Sequence, residues 1–220
     1  MFPIGDDNQE IRSTPVVTYG LIAVNVLAFV YELAIGRSLD DFLVAWGTIP
    51  VEITSGQDLH TLLTSMFLHG GFGHILGNMV FLKVFGDNVE DRFGSGPFLI
   101  FYLATGLAAA LAHVLVNPAS TIPTIGASGA ISGVLGAYIL LFHRNRVRVL
   151  LFYSVIEVPA WMMIGFWAAQ QFVATLGDIA QTQETSGVAY AAHAGGFVAG
   201  LILTPLIAVI ARRAQSRTRY

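Results

Sequence analysis

Six apolar segments, separated by more polar stretches, make up most of this 220-residue chain. They cover approximately residues 15–35, 68–85, 97–116, 128–142, 155–176 and 188–210. Only 11% of the residues are charged, whereas a soluble domain carries about a quarter. About 20 consecutive apolar residues suffice to cross the hydrocarbon core of a membrane as a helix. The chain is therefore predicted to be an all-α membrane protein, a bundle of six transmembrane helices.

The fourth segment, 128–142, is short for a full crossing. A helix rises about 1.5 Å per residue, and the hydrocarbon core is about 30 Å thick. The stretch before this segment contains Pro118 and Pro123 and cannot be regular helix. Irregular backbone at membrane depth is tolerated only against protein or a water-filled cavity. We therefore expect a short, central fourth helix whose N-terminus lies at the floor of a wet pocket.

Arginine placement predicts the orientation, because cytoplasmic loops carry an excess of basic residues. The basic residues expected on the cytoplasmic side are Arg12, Arg92, Arg144, Arg146, Arg148, Arg212, Arg213, Arg217 and Arg219. The opposite loops are acidic, with Asp40, Asp41, Glu52, Asp58, Asp178 and Glu184. We expect a cytoplasmic arm (1–14), a membrane domain (15–210) and a basic cytoplasmic tail (211–220). The acidic first residues lack a cleavable signal pattern, and we expect a prokaryotic plasma membrane.

Two reactive side chains lie inside glycine-rich apolar stretches: Ser128 in GASGAISGVLGAY (126–138) and His193 in AHAGGFVAG (192–200). Ionisable residues within membrane segments are rare and usually functional. A hydroxyl and an imidazole suit a nucleophile and its general base. Each also has a structural interpretation, since serine caps helices and small residues pack them, and a histidine can bond a carbonyl.

Glycines accompany both side chains: Gly126 lies just before the fourth segment, Gly129 and Gly133 lie on one face within it, and Gly196 and Gly200 share the face of His193 in the sixth. Such faces allow close helix packing, which would bring the imidazole against the hydroxyl. No intramembrane aspartate is available as a third member, so we expect a Ser–His dyad. The pattern predicts an intramembrane serine hydrolase.

The second segment holds a further polar cluster. His74 and Asn78 are four residues apart and share a helical face, so both can donate hydrogen bonds to an oxyanion. His69 is expected to brace a loop. A metal site made of His69, His74 and His193 is a weaker alternative, because the chain has no HExxH motif and no nearby carboxylate at membrane depth. No metal or other cofactor is expected. The chain also lacks cysteine, which excludes disulfides and cysteine nucleophiles.

Taken together, these motifs resemble the rhomboid family of intramembrane serine proteases. The family patterns are HxxxxHxxxN, GxSGxxxG, a histidine followed by spaced glycines, and ExRxG. Here they are matched by His69, His74 and Asn78; by Gly126, Ser128, Gly129 and Gly133; by His193, Gly196 and Gly200; and by Glu90, Arg92 and Gly94.

The resemblance implies that Ser128 is the nucleophile and His193 the base. It implies an oxyanion hole formed by the Ser128 backbone N–H, His74 and Asn78. Substrates would be membrane-anchored proteins cut within or beside a transmembrane helix. The expected partners are thus transmembrane proteins and the lipid bilayer, and a net charge of only −3 argues against nucleic acid.

Two positions depart from the family pattern. Ser132 stands where many members carry an aromatic residue that stacks on the catalytic histidine, and Trp46 is followed by Gly47 rather than arginine. The bulky residues of the fifth segment suit either a lateral substrate gate or a lipid-facing surface: Trp161, Phe166, Trp167 and Phe172. Two other functions compete with proteolysis, namely an inactive rhomboid-like binder and a small transporter or channel.

Overall fold

A computed structural model describes residues 2–7, 13–181 and 188–217 of the chain. The sequence-based expectations for Arg12, Glu184 and Arg219 fall outside these residues. In chain order the elements are β1 (Phe2–Asp6), α1 (Val16–Ile35), α2 (Leu39–Trp46), α3 (Pro50–Thr54), α4 (Thr61–Thr64), α5 (Phe72–Phe93), α6 (Ser95–Val116), α7 (Ser128–Leu141), β2 (Arg146–Leu151), β3 (Ser154–Pro159), α8 (Ala160–Gln181) and α9 (Tyr190–Arg217).

Three helical stretches in the described part of the chain are long and apolar enough to cross a membrane. They are Val16–Trp46, Ser95–Val116 and Tyr190–Ala211. α7 is equally apolar in character but has only 14 residues. The protein is therefore a mostly helical integral membrane protein.

α7 is the most enclosed helix, with every residue from Gly129 to Tyr138 buried. It packs against α5, α6, α8 and α9. Small residues allow this enclosure, because a side chain larger than hydrogen would collide with the neighbouring helices. A Cβ on Gly133 would lie 2.3 Å from the Thr105 Cβ of α6, and one on Gly136 would lie 2.5 Å from the Phe197 carbonyl oxygen of α9.

A buried carboxylate joins α1 to α5 and α6. Glu90 of α5 is 1% exposed and accepts hydrogen bonds from the backbone N–H groups of Val17 and Thr18 and from the Thr18 hydroxyl. It also accepts the Ser95 hydroxyl of α6 at 2.7 Å. The first N–H groups of a helix lack intrahelical acceptors, so a carboxylate at this end both satisfies them and complements the helix dipole.

The expected all-α fold needs correction, because three strands form an antiparallel sheet in the order β1-β2-β3. Asp6 of β1 pairs with Val147 of β2, and Arg148 pairs with Glu157 of β3. The alternation of β2 explains the sheet. Val147 and Val149 are fully buried in the core of the bundle, whereas the arginines between and before them are exposed. A period of two with β-branched residues is a strand pattern.

Two expected boundaries also move. The fifth apolar segment was expected from residue 155, but residues Ser154–Pro159 are β3 and the helix begins at Ala160. The second segment was expected to end at residue 85, but α5 continues to Phe93. This last part of α5 is polar in sequence and nevertheless buried, because its side chains are hydrogen-bonded, as Glu90 and Asn88 illustrate.

Candidate active site

The structure brings the Ser128 hydroxyl and the His193 imidazole together. Ser128 begins α7 and His193 lies in the first turn of α9. The Ser128 Oγ and the His193 Nε2 are 2.8 Å apart, a hydrogen-bond distance. The chain reaches Ser128 through Gly126, whose φ of 124° lies in the region that favours glycine. The backbone N–H groups at this helix start have no intrahelical acceptors and are available to a bound group.

Direct backbone contact between α7 and α9 sets the distance between the two side chains. A Cβ on Gly196 would lie 2.1 Å from the Gly129 carbonyl oxygen, and one on Gly200 would lie 2.2 Å from the Gly133 carbonyl oxygen. Both distances are far below van der Waals contact, so only glycine fits at either position. This close approach places the first turn of α9 beside the first turn of α7.

The second nitrogen of the imidazole has a partner that sequence reasoning missed. The His193 Nδ1 lies 2.7 Å from the Gln171 Oε1 of α8, and Gln171 is 8% exposed. The rings of Trp167 and Tyr190 flank the imidazole, with centroids 6.1 Å and 6.4 Å away. The available signal was a glutamine pair inside an apolar segment, AAQQFVA, where polar side chains require partners.

A cavity of about 680 Å³ lies in front of the Ser128 hydroxyl. His74 and Asn78 of α5 line it, together with His193 and Trp167. The Asn78 Nδ2 is buried and has no hydrogen-bond partner among the described residues. Such a donor is costly unless it is paired in another state of the protein. Because Asn78 and Ser128 line the same cavity, this donor suits the stabilisation of a negative charge that develops there.

Gly126 separates His74 from Ser128. A Cβ at this position would lie 2.7 Å from the His74 Nε2 and 3.6 Å from the Ser128 Oγ. The absent side chain therefore leaves the His74 imidazole and the Ser128 hydroxyl open to the same part of the cavity. An oxygen bound there could meet both the imidazole and the N–H groups at the start of α7.

His69 is not among the residues that line the cavity. Its ring packs edge-on against His74, with centroids 5.1 Å apart, and its backbone N–H donates to Glu32 of α1 at 3.1 Å. Glu32 is 1% exposed and was not singled out in the sequence. Its carboxylate ties α1 to the turn before α5. Among the described residues, no group of three His, Asp or Glu side chains is arranged to hold a metal ion.

Comparison with known families identifies the chain. The Rhomboid domain model matches residues 56–209, which include every residue discussed above from α5, α7, α8 and α9. This protein belongs to the rhomboid family.

Several curated rhomboids are similar to the chain. Rhomboid protease GluP of Bacillus subtilis is 37% identical over 133 residues, 60% of this chain and 26% of that protein. RHOMBOID-like protein 12, mitochondrial, of Arabidopsis thaliana is 28% identical over 198 residues, 82% of this chain and 55% of that protein. Putative rhomboid protease YdcA of Bacillus subtilis is 29% identical over 141 residues, 62% and 68% of the two chains. This chain thus spans from about a quarter to about two thirds of the length of these relatives.

In this rhomboid, the hydroxyl of Ser132 is hydrogen-bonded within its own helix. This hydroxyl donates to the Ser128 carbonyl oxygen at 2.6 Å, within α7. The contacts that restrain His193 come instead from Trp167 and Gln171 on α8 and from Tyr190 on α9. The departure noted at position 132 is therefore accompanied by a different set of neighbours around the histidine.

The bulky residues of the fifth segment divide into two groups in this rhomboid. Trp167 lines the cavity, whereas the other three are exposed on the outside of α8, at 54%, 54% and 41%: Trp161, Phe166 and Phe172. Between α1 and α5, Trp46 ends α2 and its ring packs edge-on against the His60 ring. The position after it, Gly47, leaves no room for a side chain, because a Cβ would lie 2.5 Å from the Leu43 carbonyl oxygen.

Proposed function

We propose that this protein is an intramembrane serine endopeptidase that cleaves membrane-anchored proteins within or beside a transmembrane helix. The observation that carries the proposal is the 2.8 Å contact between the Ser128 Oγ and the His193 Nε2 at the edge of a cavity. A hydroxyl becomes a useful nucleophile when an adjacent base accepts its proton. Membership of the rhomboid family and the curated names of its relatives point the same way.

In the first half of the reaction, the Ser128 Oγ attacks the carbonyl carbon of the scissile peptide bond while its proton passes to the His193 Nε2. The negative charge moves to the carbonyl oxygen. Three groups are proposed to hold this oxyanion: the Ser128 backbone N–H, the His74 imidazole and the Asn78 amide. The unpartnered Asn78 Nδ2 supports this role, since a buried donor without a partner suits an acceptor that appears only during the reaction.

The intermediate then collapses. The C–N bond breaks, the imidazolium donates its proton to the leaving amine, and the acyl group remains on Ser128. A water molecule then attacks the acyl carbon while its proton passes to the His193 Nε2. The second intermediate collapses, the imidazolium returns the proton to the Ser128 Oγ, and the carboxylic acid is released. The cavity beside Ser128 provides the space for this water.

The substrate helix must open before it is cut, because the carbonyls of a transmembrane helix are hydrogen-bonded and sterically shielded. Weak helix formers near the cleaved bond lower the cost of opening. Glycine costs about 1 kcal/mol and proline about 3 kcal/mol relative to alanine in a helix interior. We therefore propose that substrates carry such residues close to the cleavage position.

We further propose six crossings, by α1, α5, α6, α7, α8 and α9, with the short α7 at the centre of the domain formed by residues 15–210. Residues 1–14 and the basic residues 211–220 would lie in the cytoplasm. The pairing of β1 with β2 supports this arrangement, because it requires the N-terminal strand and the arginine-rich loop after α7 to share one side. The basic residues of that loop favour the cytoplasmic side.

The orientation can be tested directly because the chain contains no cysteine. Ser38 and His143 are both exposed and lie near opposite ends of the bundle. In intact cells, a membrane-impermeant maleimide should label Ser38→Cys, and should label His143→Cys only after lysis. The reverse result would contradict the proposed orientation.

The activity is tested by cleavage of a single-pass model substrate in cells, with wild type against Ser128→Ala and His193→Ala. Both variants should be inactive while remaining folded in the membrane, and a fluorophosphonate should label wild type but not Ser128→Ala. Cleavage by purified Ser128→Ala would refute the assigned nucleophile. A protein that is neither labelled nor active would instead be a binder, and solute flux in liposomes without cleavage would indicate a transporter.

A further inference from the structure

We propose that Gln171 is a positioning residue, whose side-chain oxygen holds His193 in the tautomer that leaves Nε2 able to accept the Ser128 proton. The inference rests on the proposed function and adds a third group to the Ser–His pair. It concerns a neutral amide on α8, where soluble serine proteases place a carboxylate.

The Trp167 carbonyl oxygen, which can only accept, determines the direction of each hydrogen bond between Gln171, His193 and Ser128. The Gln171 Nε2 lies 3.3 Å from the Trp167 carbonyl oxygen, and a carbonyl can only accept. The amide nitrogen must therefore face Trp167, which turns the Oε1 toward the His193 Nδ1, 2.7 Å away. Because an amide oxygen also only accepts, the Nδ1 must carry the proton. The neutral imidazole then has an unprotonated Nε2, and this nitrogen accepts the hydrogen bond from the Ser128 Oγ at 2.8 Å.

Neighbouring groups on α8 hold Gln171 and the His193 imidazole in place. Gln171 is buried, and its own carbonyl accepts the Thr175 hydroxyl one turn further along α8. Trp167 contributes its carbonyl to Gln171 and its ring to one side of His193, so two consecutive turns of α8 contact the imidazole system. The titratable side chains of other helices that interact electrostatically with His193 are His74 of α5 and His113 of α6.

A neutral acceptor suits this position physically. An aspartate at membrane depth would have to be desolvated, which is unfavourable for an uncompensated ion. An amide oxygen fixes the same tautomer and ring orientation without a buried charge. It stabilises the imidazolium of the transition state less than a carboxylate does, so its contribution is orientation rather than charge.

The test compares kcat, KM and the pH profile of kcat for cleavage of a fluorogenic transmembrane substrate in proteoliposomes. Gln171→Leu keeps the shape of the side chain and removes the acceptor. It should lower kcat by about 10- to 100-fold with little change in KM, less than the loss of about 10⁴ when a triad carboxylate is replaced. Gln170→Leu, the same change on the exposed face one residue earlier, should leave kcat unchanged.

Gln171→Glu separates positioning from packing. It keeps an oxygen opposite the Nδ1 and should hold kcat within about 10-fold of wild type. Its carboxylate should favour the imidazolium and move the acidic limb of the kcat–pH profile upward by about one pH unit. A residue that only filled space would not give the partial rescue, whereas the shifted profile reports that position 171 faces the imidazole.

A spectroscopic measurement addresses the tautomer itself. In protein labelled with ¹⁵N-histidine, wild-type His193 should give the signals of the Nδ1–H form, and Gln171→Leu should give a mixture. The inference is overturned if wild-type His193 carries its proton on Nε2, or if Gln171→Leu matches Gln170→Leu in kcat and pH profile. If wild type cleaves and Ser128→Ala does not, such a result overturns the role of Gln171 alone. If Gln171→Leu does not fold, the wild-type tautomer and the Gln171→Glu profile still decide.

Discussion

At the scale of single residues, the polar atoms of the site fall into two kinds. Ser128, His193 and Gln171 are already hydrogen-bonded to one another, so their geometry is set before a substrate arrives. The Asn78 Nδ2 is different, since it is buried without a partner in the described part of the chain. The first kind fixes the orientation of the imidazole. The second leaves a hydrogen-bond donor for a group that is absent from the resting site, as the proposed mechanism requires.

Asn78→Ala should therefore slow cleavage without changing substrate affinity. One lost oxyanion donor costs about 10²–10³ in rate in a soluble protease. The loss should lie at or below the lower end here, because His74 and the Ser128 backbone N–H remain. The measurement is kcat in proteoliposomes, together with the rate of fluorophosphonate labelling, which should be reduced but not abolished.

Asn25→Ala is the matched control for this change. Asn25 is also a buried asparagine on an apolar helix, but its amide donates to the Leu21 carbonyl within α1 and it does not line the cavity. Its loss should lower thermal stability and leave kcat per folded molecule unchanged. If the double change of His74 and Asn78 to alanine has no effect on kcat, the oxyanion is held elsewhere.

Sequence alone could predict Ser128 and His193 but not Gln171, and the reason is physical. A hydroxyl and an imidazole in glycine-rich apolar segments stand out by their own chemistry and by the spacing of their glycines. The role of Gln171 depends on which face α8 turns toward α9, and the α8 sequence leaves that open. Gln170 and Gln171 are adjacent and chemically identical, yet only the second is buried.

At the scale of elements, the contact between α7 and α9 is made by backbone atoms. The spacing of three and seven residues after His193 puts two glycines against the carbonyls of α7. Lipid is as apolar as leucine, so close backbone packing is a main source of helix association in membranes. The same contact that holds the helices together fixes the separation of the Ser128 hydroxyl and the His193 imidazole.

Gly196→Ala should consequently cause a large loss of activity, although residue 196 is outside the reacting groups. The added Cβ would lie 2.1 Å from the Gly129 carbonyl oxygen, so one helix must move. A displacement of about 1 Å can cost about 100-fold in rate. We expect a loss of this order in kcat and a lower melting temperature in detergent; Gly196→Val should be worse on both counts.

The control is Gly20→Ala on α1, where an added Cβ meets nothing within 4 Å. This change should leave activity intact and, because alanine favours helix by up to about 1 kcal/mol over glycine, should not lower stability. Gly196→Ala with wild-type kcat would show that the two helices tolerate separation. The account of the site as a joint between α7 and α9 would then be wrong.

The pattern of apolar segments did not predict the three-stranded sheet. Residues 155–159 are mostly apolar and lead directly into α8, so a strand and a helix appear as one segment. β1 has only five residues and carries no signal of its own, because its partner strand is distant in sequence. Helices are determined largely by local periodicity, whereas this pairing is set by tertiary packing of Val147 and Val149 against the bundle.

At the scale of the whole molecule, Asp6 joins the sheet to the bundle. Its Oδ2 accepts hydrogen bonds from the Tyr138 hydroxyl of α7 and from the Asn88 side-chain amide of α5. Burial raises the pKa of Asp6 from 3.8 to about 7, and the nearby carboxylates of Asp87 and Asp7 add to this rise. One titratable group thus connects three elements that are far apart in the chain.

The raised pKa predicts that the docking of β1 weakens as pH increases. Below about 4, Asp6 is neutral in both the folded and the unfolded chain, and its contribution to stability is fully present. Between 3.8 and about 7 it ionises only in the unfolded chain, so the free energy of unfolding falls. The total loss is on the order of 4 kcal/mol, at 1.36 kcal/mol per pKa unit. Melting temperatures in detergent at several pH values would measure it.

Asp6→Asn removes the charge, because it replaces the carboxyl group by an amide of similar shape. The melting temperatures of wild type and variant should be close near pH 4 and diverge by pH 8, with the variant more stable. Taking the difference between the two proteins removes the contribution of other carboxylates. A constant difference across this range would show that Asp6 does not titrate in the window.

The pairing of β1 with β2 also has a consequence for the order in which the protein is made. Asp6 pairs with Val147, 141 residues further along the chain. During synthesis, the first strand leaves the ribosome long before its partner exists, and α1, α5, α6 and α7 must all emerge in between. Contacts of such large sequence separation form late, because the intervening loop must first be closed. β1 is therefore among the last elements to reach its final position, and the sheet closes only on a bundle that is already largely assembled.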